Sequence, residues 1–478
     1  MLNKKIPLYL LIIFCICNIS LLKEESNEKL LFVLEHFRHG ARGAYKSFNY
    51  EQWKDMLNEE WKGAGELTSI GMRQHYLLGK SVRNKYTNFI GNTFNPNEIS
   101  IISTNVNRTL ISAYSNLLGM FYNDENINKK GSINNKNYSN IINNKKFESE
   151  SYYNNYPIHI YADKDLRYQL YRTEICPGFE QFIKKIKESE GMKKIYKDTF
   201  EETNSKFGKY LDKYIDQKII DDLNYYKYFS AIKTICDTYI ADYFDGRVIE
   251  ELSKTGINLE EFNEHCLNIS LITAYYNYYG NPVEKSVEFG ISPMFREIFE
   301  YMEKRIKLDK ENNPDKIISS SPKFVIVSGH DVSLAAFDLF FKNRFNIDFK
   351  RADYTNNQIF ELWKKDGKYY LKYLINLETV GEFEFYDFKD KVTKLLYTDE
   401  EIKKMCFPDK YMVYKIENNN NNLMKTTNII IILIILIIFI LIVVLMLLLI
   451  RRKNNINILY HKIIEMGNLS KEASSNEQ

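Results

Sequence analysis

Leu30-Leu31-Phe32-Val33-Leu34, followed a few residues later by Arg38-His39-Gly40-Ala41-Arg42, is the segment from which the rest of the chain can be read. A short apolar run that ends in a glycine-containing polar turn reads as a buried strand passing into a loop. In an open α/β sheet, ligands bind just beyond the carboxyl ends of the strands. One imidazole therefore stands between two guanidinium groups at a ligand-binding position. Two planar donor forks suit a phosphate dianion, and an imidazole between them would meet the phosphorus atom.

Two further segments repeat this grammar. Ile99-Ser100-Ile101-Ile102-Ser103 is a short β-branched run, a turn through Arg108 follows, and 109–121 reads as a helix with Leu110, Leu117, Leu118 and Phe121 as its apolar members. Phe324-Val325-Ile326-Val327 ends in Ser328-Gly329-His330-Asp331, and 333–341 reads as the next helix. Strand, polar turn and helix in alternation is the pattern of α/β folds. Between the first two strands, Leu67, Ile70, Leu77, Leu78 and Val82 recur at helical spacing, with Thr68 as candidate N-cap, so this face should pack on the sheet. Residues 158–160 read as another strand. Residues 358–362 and 369–374 read as an antiparallel pair joined by Lys365-Asp366-Gly367. If the three strand ends are parallel neighbours, then Arg38, His39, Arg42, Arg108, His330 and Asp331 meet at one crevice.

These motifs resemble the histidine acid phosphatases, whose signature is Arg-His-Gly-x-Arg-x-Pro. Ala44 stands where the family has Pro, which leaves the loop backbone less restricted. The stretch from Leu67 to His75 is similar to the family's second motif. Ser103-Thr104-Asn105-Val106-Asn107-Arg108 fits its Ser-Thr-x-x-x-Arg, and His330-Asp331 its His-Asp pair, with Gly329 in place of a small Ala. The resemblance covers most of 30–374. It implies an α/β fold: a mostly parallel sheet flanked by helices, a phosphoglycerate-mutase-like core, and an inserted α-helical cap domain. It also implies that His39 is the nucleophile, Asp331 the proton donor, and Arg38, Arg42, Arg108 and His330 the phosphate ligands.

The chemistry of those groups agrees. Phosphoryl transfer is catalysed mostly by positioning and electrostatics, which three arginines supply. A covalent phosphohistidine divides a difficult displacement into two easier ones. A proton donor must be protonated, so an acidic working pH follows for simple esters. No metal or other cofactor is required, and no metal-ligand spacing is seen. The expected activity is an acid phosphatase acting on small phosphomonoesters. The competing readings are a catalytically silent surface ectodomain and a phosphoglycerate-mutase-like phosphotransferase. His36 and His75 read as structural, and His159 as packed near a strand end.

The whole chain of 478 residues is 45% hydrophobic, enough for a sizeable core, and its net charge of +3 gives no reason to expect a nucleic-acid partner. Residues 1–22 read as a signal peptide with Lys4 and Lys5 ahead of an apolar stretch. The core would run over 23–164, interrupted by an Asn/Lys-rich insertion at 123–156, with the helical cap at 165–287 and the second core part at 288–415. A polar stalk at 416–428 precedes the uncharged apolar run 429–450, which is long enough to cross a bilayer. Arg451-Arg452-Lys453 then marks 451–478 as a cytoplasmic tail. This is a single-pass type I layout with the catalytic part facing a lysosome-like lumen or the cell exterior, and Tyr460-His461-Lys462-Ile463 resembles a sorting signal. Cys176, Cys236, Cys266 and Cys406 suggest two disulfides, with three pairings open. Asn137 and Asn268 lie in glycosylation sequons; so does Asn107, where a glycan would block Arg108. The family it resembles is often dimeric, and the sequence leaves open whether this chain forms a homodimer.

Overall fold

The computed structural model describes residues 28–45, 65–121, 158–160, 175–211, 214–246, 254–275, 283–316, 321–349 and 353–408, together with Met446 and Arg451. Met1–Cys406 forms one compact unit and Phe407–Gln478 a second; the elements below belong to the first. Among the described residues no helix is long and apolar enough to cross a membrane. The leader, the insertion with Asn137, the side chain of His159, the stalk and, apart from Met446 and Arg451, the apolar run and tail lie outside the described residues.

β1 (Lys29–Arg38), β2 (Ile99–Ser103), β3 (Ile158–Ile160), β4 (Phe324–Gly329), β5 (Asn357–Lys365), β6 (Lys368–Ile375) and β7 (Glu378–Glu384) make one seven-stranded sheet in the order β3-β2-β4-β1-β5-β6-β7. β1 and β4 are central and covered on both faces, so they are buried along nearly their whole length, with continuous apolar runs at Leu30–Leu34 and Phe324–Val327 rather than alternation. The β3-β2-β4-β1 pairings are parallel and the β1-β5-β6-β7 pairings antiparallel. The expected mostly parallel sheet is therefore corrected to an evenly mixed one. The β5–β6 turn has left-handed backbone at Asp366 (φ 49°) and Gly367 (φ 76°), the conformation that suits a two-residue hairpin. The β6–β7 turn does the same with Asn376 and Leu377 (φ 50° and 69°), without a glycine to announce it.

On one face of the sheet, Val33, Phe37, Ile101, Phe324 and Ile359 pack against Val82, Ala113, Leu117 and Met120 of α1 (Ser69–Lys85) and α2 (Asn107–Phe121). Thr68 caps α1, its side chain accepting from the Gly71 amide. Of the expected apolar stripe, Leu67 and Val82 are buried and Leu78 packs against the core, but Leu77 is 51% exposed, and Gly71, His75 and Gly79 fill the rest of the inner face. In α2, Leu117 is buried but Leu118 is 43% exposed, and the inner face is largely small and polar. The cause is the closeness of the two helices. A Cβ on Gly79 would lie 2.0 Å from the Asn116 carbonyl oxygen, and one on Gly119 2.0 Å from that of Tyr76. Large side chains are excluded from this crossing, so they point outward.

Between β3 and β4 the described residues are helical: α3 (Phe179–Lys187), α4 (Glu190–Leu211), α5 (Gln217–Asp221), α6 (Tyr225–Phe244), α7 (Leu259–Tyr275) and α8 (Val283–Lys310). α4, α6 and α7 share an aromatic core of Tyr196, Phe207, Tyr228 and Phe262. The Cys236–Cys266 disulfide joins α6 to α7. On the second face of the sheet, Phe295 of α8 packs against Phe337 and Phe340 of α9 (Asp331–Phe345) and Phe360 of β5. α10 (Phe385–Thr393) and α11 (Asp399–Cys406) follow β7, and Cys176–Cys406 ties the end of α11 to the chain before α3. These are the two pairings that hold among the three the sequence left open.

Candidate active site

Strand register brings the motifs together. Arg38 pairs with Gly329 across β1 and β4, and Ser103 with Ser328 across β2 and β4. Chain direction is shared, so the three strands release their loops on the same side. The His39 amide donates to the Gly329 carbonyl, and the Thr104 amide to that of Ser328. All six expected residues meet there. Arg38 Nη2 is 2.9 Å from Asp331 Oδ2, Arg108 Nη2 is 3.4 Å from His330 Nδ1, and the His39 and His330 rings are 5.6 Å apart.

The loop that carries His39 is fixed at the level of its backbone. The Gly40 amide donates to Ser112 Oγ and the Ala41 amide to Gln74 Oε1. A Cβ on Gly40 would sit 2.4 Å from the Gly71 carbonyl oxygen, so glycine is what allows α1 to approach. Ala44 does not leave the loop slack: it is fully buried, and the 65–68 segment pairs with 41–44 through Gly43 N to Glu66 O, Gly65 N to Ala44 O and Thr68 N to Ala41 O. Hydrogen bonds supply the restriction that a proline ring would have given.

His36 and His75 hold the motif from below, as expected. His75 Nε2 donates to the Arg38 carbonyl at 3.1 Å. Ser333 Oγ donates to the His330 carbonyl at 2.7 Å, which leaves it to accept from the His330 amide and from His36 Nε2. A Cβ on Gly329 would be 2.9 Å from that His36 nitrogen, which is why glycine stands here. Burial lowers both imidazoles to about 3, so they are neutral.

His39 is buried and neutral as well. Burial, and after it the charges of Arg108, Arg38, His330 and Arg42, holds its pKa well below the usual range. Its Nδ1 donates to the Gly40 carbonyl at 2.8 Å, a network assignment that leaves the lone pair on Nε2. A similar chain fixes His330. Thr109 Oγ1 donates to Val106 O, Thr104 Oγ1 to Thr109 Oγ1, and His330 Nε2 to Thr104 Oγ1. Nδ1 of His330 then faces Arg108 Nη2 at 3.4 Å. Burial opposes ionisation of Asp331, but Arg38, His330, Arg42 and the Val332 amide outweigh it, so its pKa lies below the ordinary carboxylate range.

Three groups at this site were not legible in advance. Asp237 of α6 takes both Nη atoms of Arg42, at 2.7 and 3.3 Å, and accepts from the Tyr45 amide at 3.1 Å. Tyr45 lies 5.2 Å from the guanidinium carbons of both Arg42 and Arg108. The Tyr354 ring lies 4.4 Å from the guanidinium carbon of Arg38 and 5.9 Å from the His39 ring. The next residue, Thr355, has φ 63°, rare for a β-branched residue, and its amide donates to the His39 carbonyl. Cys236 and the long run of α6 gave no hint of Asp237, because one carboxylate on an amphipathic helix reads as surface.

The Nε–H groups of Arg42 and Arg108 are buried and have no acceptor among the described residues. Buried donors on a cation are normally paired. Here they flank a neutral imidazole, an arrangement that suits an anion with several acceptor oxygens. Among the described residues no group of three or more His, Cys, Asp or Glu side chains is placed to hold a metal ion.

A mixed α/β sheet with this cation-lined crevice at its parallel strand ends defines a class of anion-handling proteins. Residues 23–376 match the model of the histidine phosphatase superfamily (branch 2), and the chain belongs to that family. Among curated proteins it is similar to the prostatic acid phosphatase of Rattus norvegicus, 41% identical over 95 residues, which is 20% of this chain and 24% of that protein. It is also similar to the lysosomal acid phosphatase of Homo sapiens, 22% identical over 360 residues, 73% of this chain and 71% of that one. The chain thus spans about a quarter of the length of the prostatic acid phosphatases it matches. The solved phytase of Citrobacter braakii aligns with a TM-score of 0.46 and 13% identity over 77% of this chain and 98% of that one.

Proposed function

We propose that this protein is an acid phosphatase that hydrolyses phosphate monoesters through a phosphohistidine at His39. The observation that carries the reading is the pair of unpartnered, buried Nε–H donors of Arg42 and Arg108 beside the free Nε2 of His39. Arg38, Arg42 and Arg108 hold the equatorial oxygens. Nε2 of His39 attacks phosphorus, and the bond from phosphorus to the alcohol oxygen breaks. The departing oxygen takes a proton from Asp331. Water then attacks the phosphohistidine, Asp331 takes back a proton, and the P–N bond breaks to release phosphate and restore His39.

Proton counting sets the pH. Asp331 is ionised in the free site, so the proton it later donates arrives with the substrate. A phosphate ester monoanion plus ionised Asp331 has the same protons as a dianion plus neutral Asp331. The monoanion is lost above pH ~6, so activity falls from there upward.

The same reading keeps the single-pass layout, with the apolar run 429–450 in the membrane and the catalytic part in a lumen or outside the cell. Its supports are the uncharged run followed by three basic residues and the two disulfides, which persist in oxidising compartments. Purified full-length protein in detergent, assayed with a chromogenic aryl phosphate at pH ~5, tests the activity. Turnover is expected; a folded protein with none would favour the silent ectodomain.

A further inference from the structure

The Arg42 guanidinium is gripped from the helical part of the chain. Asp237 takes Nη2 and Nη1 at 2.7 and 3.3 Å, and the Gly43 carbonyl takes Nη1 at 2.9 Å. These bonds orient the planar fork and leave the buried Nε–H as the edge without an acceptor. The same carboxylate accepts from the amide of Tyr45, whose ring flanks both Arg42 and Arg108. Asp237 is itself held in place: it follows Cys236, which is bonded to Cys266 on α7.

A carboxylate in this position has two opposed effects. It fixes the direction of a cation, which favours a transition state whose oxygens must meet that donor. It also offsets positive charge, which weakens attraction for a phosphate anion in the ground state. A merely structural ion pair would show the first effect on stability alone. We infer that Asp237 is a positioning residue, which aims Arg42 at a phosphoryl oxygen and sets the Tyr45 rim of the pocket. The inference rests on the phosphatase reading above and adds to it a part played by the helical segment.

The test compares wild-type, Asp237→Asn and Asp237→Glu full-length proteins for kcat and KM on an aryl phosphate and for inhibition by inorganic phosphate. The amide keeps the size of the side chain but cannot accept from both Arg42 and Tyr45 through two equivalent oxygens. Asp237→Asn is expected to lower kcat by about tenfold to a hundredfold, while inorganic phosphate inhibits at least as strongly as in wild type. Asp237→Glu, with the charge retained one methylene further out, recovers part of kcat. An Asp237→Asn kcat within about twofold of wild type overturns the inference, as does a loss of phosphate affinity in step with kcat, which marks uniform binding. If the amide variant does not fold, Asp237→Glu decides alone: reduced kcat with phosphate inhibition kept supports positioning, and wild-type kcat overturns it. Wild-type protein without turnover removes the phosphatase reading itself; active wild type with an unimpaired variant removes only this inference.

Discussion

In the proposed mechanism the chemistry turns on His39, and its surroundings assign its protonation before any ligand arrives. Nδ1 is spent on the Gly40 carbonyl, and burial among four cationic or ionisable neighbours keeps the ring neutral. Replacing His39 by Ala is expected to abolish turnover of an aryl phosphate while inorganic phosphate still raises the melting temperature; turnover retained in the variant would remove the nucleophile. Replacing Arg108 by Ala takes away a preorganised donor, and kcat is expected to fall about a hundredfold or more. Asp331→Asn should slow alkyl phosphates far more than aryl ones, because a good leaving group needs little protonation; equal losses on both would speak against Asp331 as the donor. These six side chains were legible because each sits within five residues of a strand end and is flanked by a glycine or a short polar turn. Asp237 was not, since it lies 195 residues from Arg42 in the chain and reaches it only through the fold.

α1 and α2 show where reading apolar spacing went astray. Val82 and Leu117 turn inward and Leu78 packs on the core as their spacing suggested, yet Gly79 and Gly119 make the closest contact and Leu77 and Leu118 face outward. Hydrophobic periodicity reports which residues prefer burial; it does not report that two backbones touch, and touching backbones exclude the large residues. Gly79→Ala is therefore expected to destabilise the protein although alanine is the better helix former. The cost is about 1–3 kcal/mol, read as a lowered denaturant midpoint; an unchanged or raised midpoint would mean that the helices separate freely. The β5–β6 hairpin was legible because Asp-Gly specifies its turn. β7 was not, because Asn376-Leu377 adopts the same left-handed backbone without glycine, and the strand itself, rich in Glu and exposed, has no apolar stripe. Removing the Cys176–Cys406 bridge, which closes a loop of 230 residues, is expected to cost about 2–4 kcal/mol.

The folded unit as a whole carries buried titratable groups of both signs, and they set its response to pH. Glu35 and Asp338 are buried acids that desolvation raises to about 7, against the pull of Asn357 on the first and of Tyr275 and Gln358 on the second. The native state keeps their protons up to about pH 7, whereas the unfolded chain releases them near pH ~4. Their contribution to stability is complete below that lower value and is lost as pH rises through about 7. His36 and His75 act in the opposite sense, because burial lowers them to about 3. The unfolded chain takes up protons below ~6.5 that the native state refuses, so stability falls as pH drops from there. The two trends oppose each other in mildly acid solution, and above neutrality only the loss remains. His39 and His265, which burial also lowers, act with His36 and His75; the contribution of Glu35 is isolated by Glu35→Gln, which should raise the melting temperature at pH 8 relative to that at pH 6 when compared with wild type, and an unchanged difference would contradict its assignment. The proposed chemistry depends on a phosphoryl group resting on one nitrogen of the chain. Full-length protein mixed with a phosphate monoester, quenched in alkali within a turnover and digested for mass spectrometry, should carry phosphate on the peptide containing His39 and lose it under mild acid; phosphate found on another residue, or turnover with no phosphorylated peptide at any quench time, would contradict it.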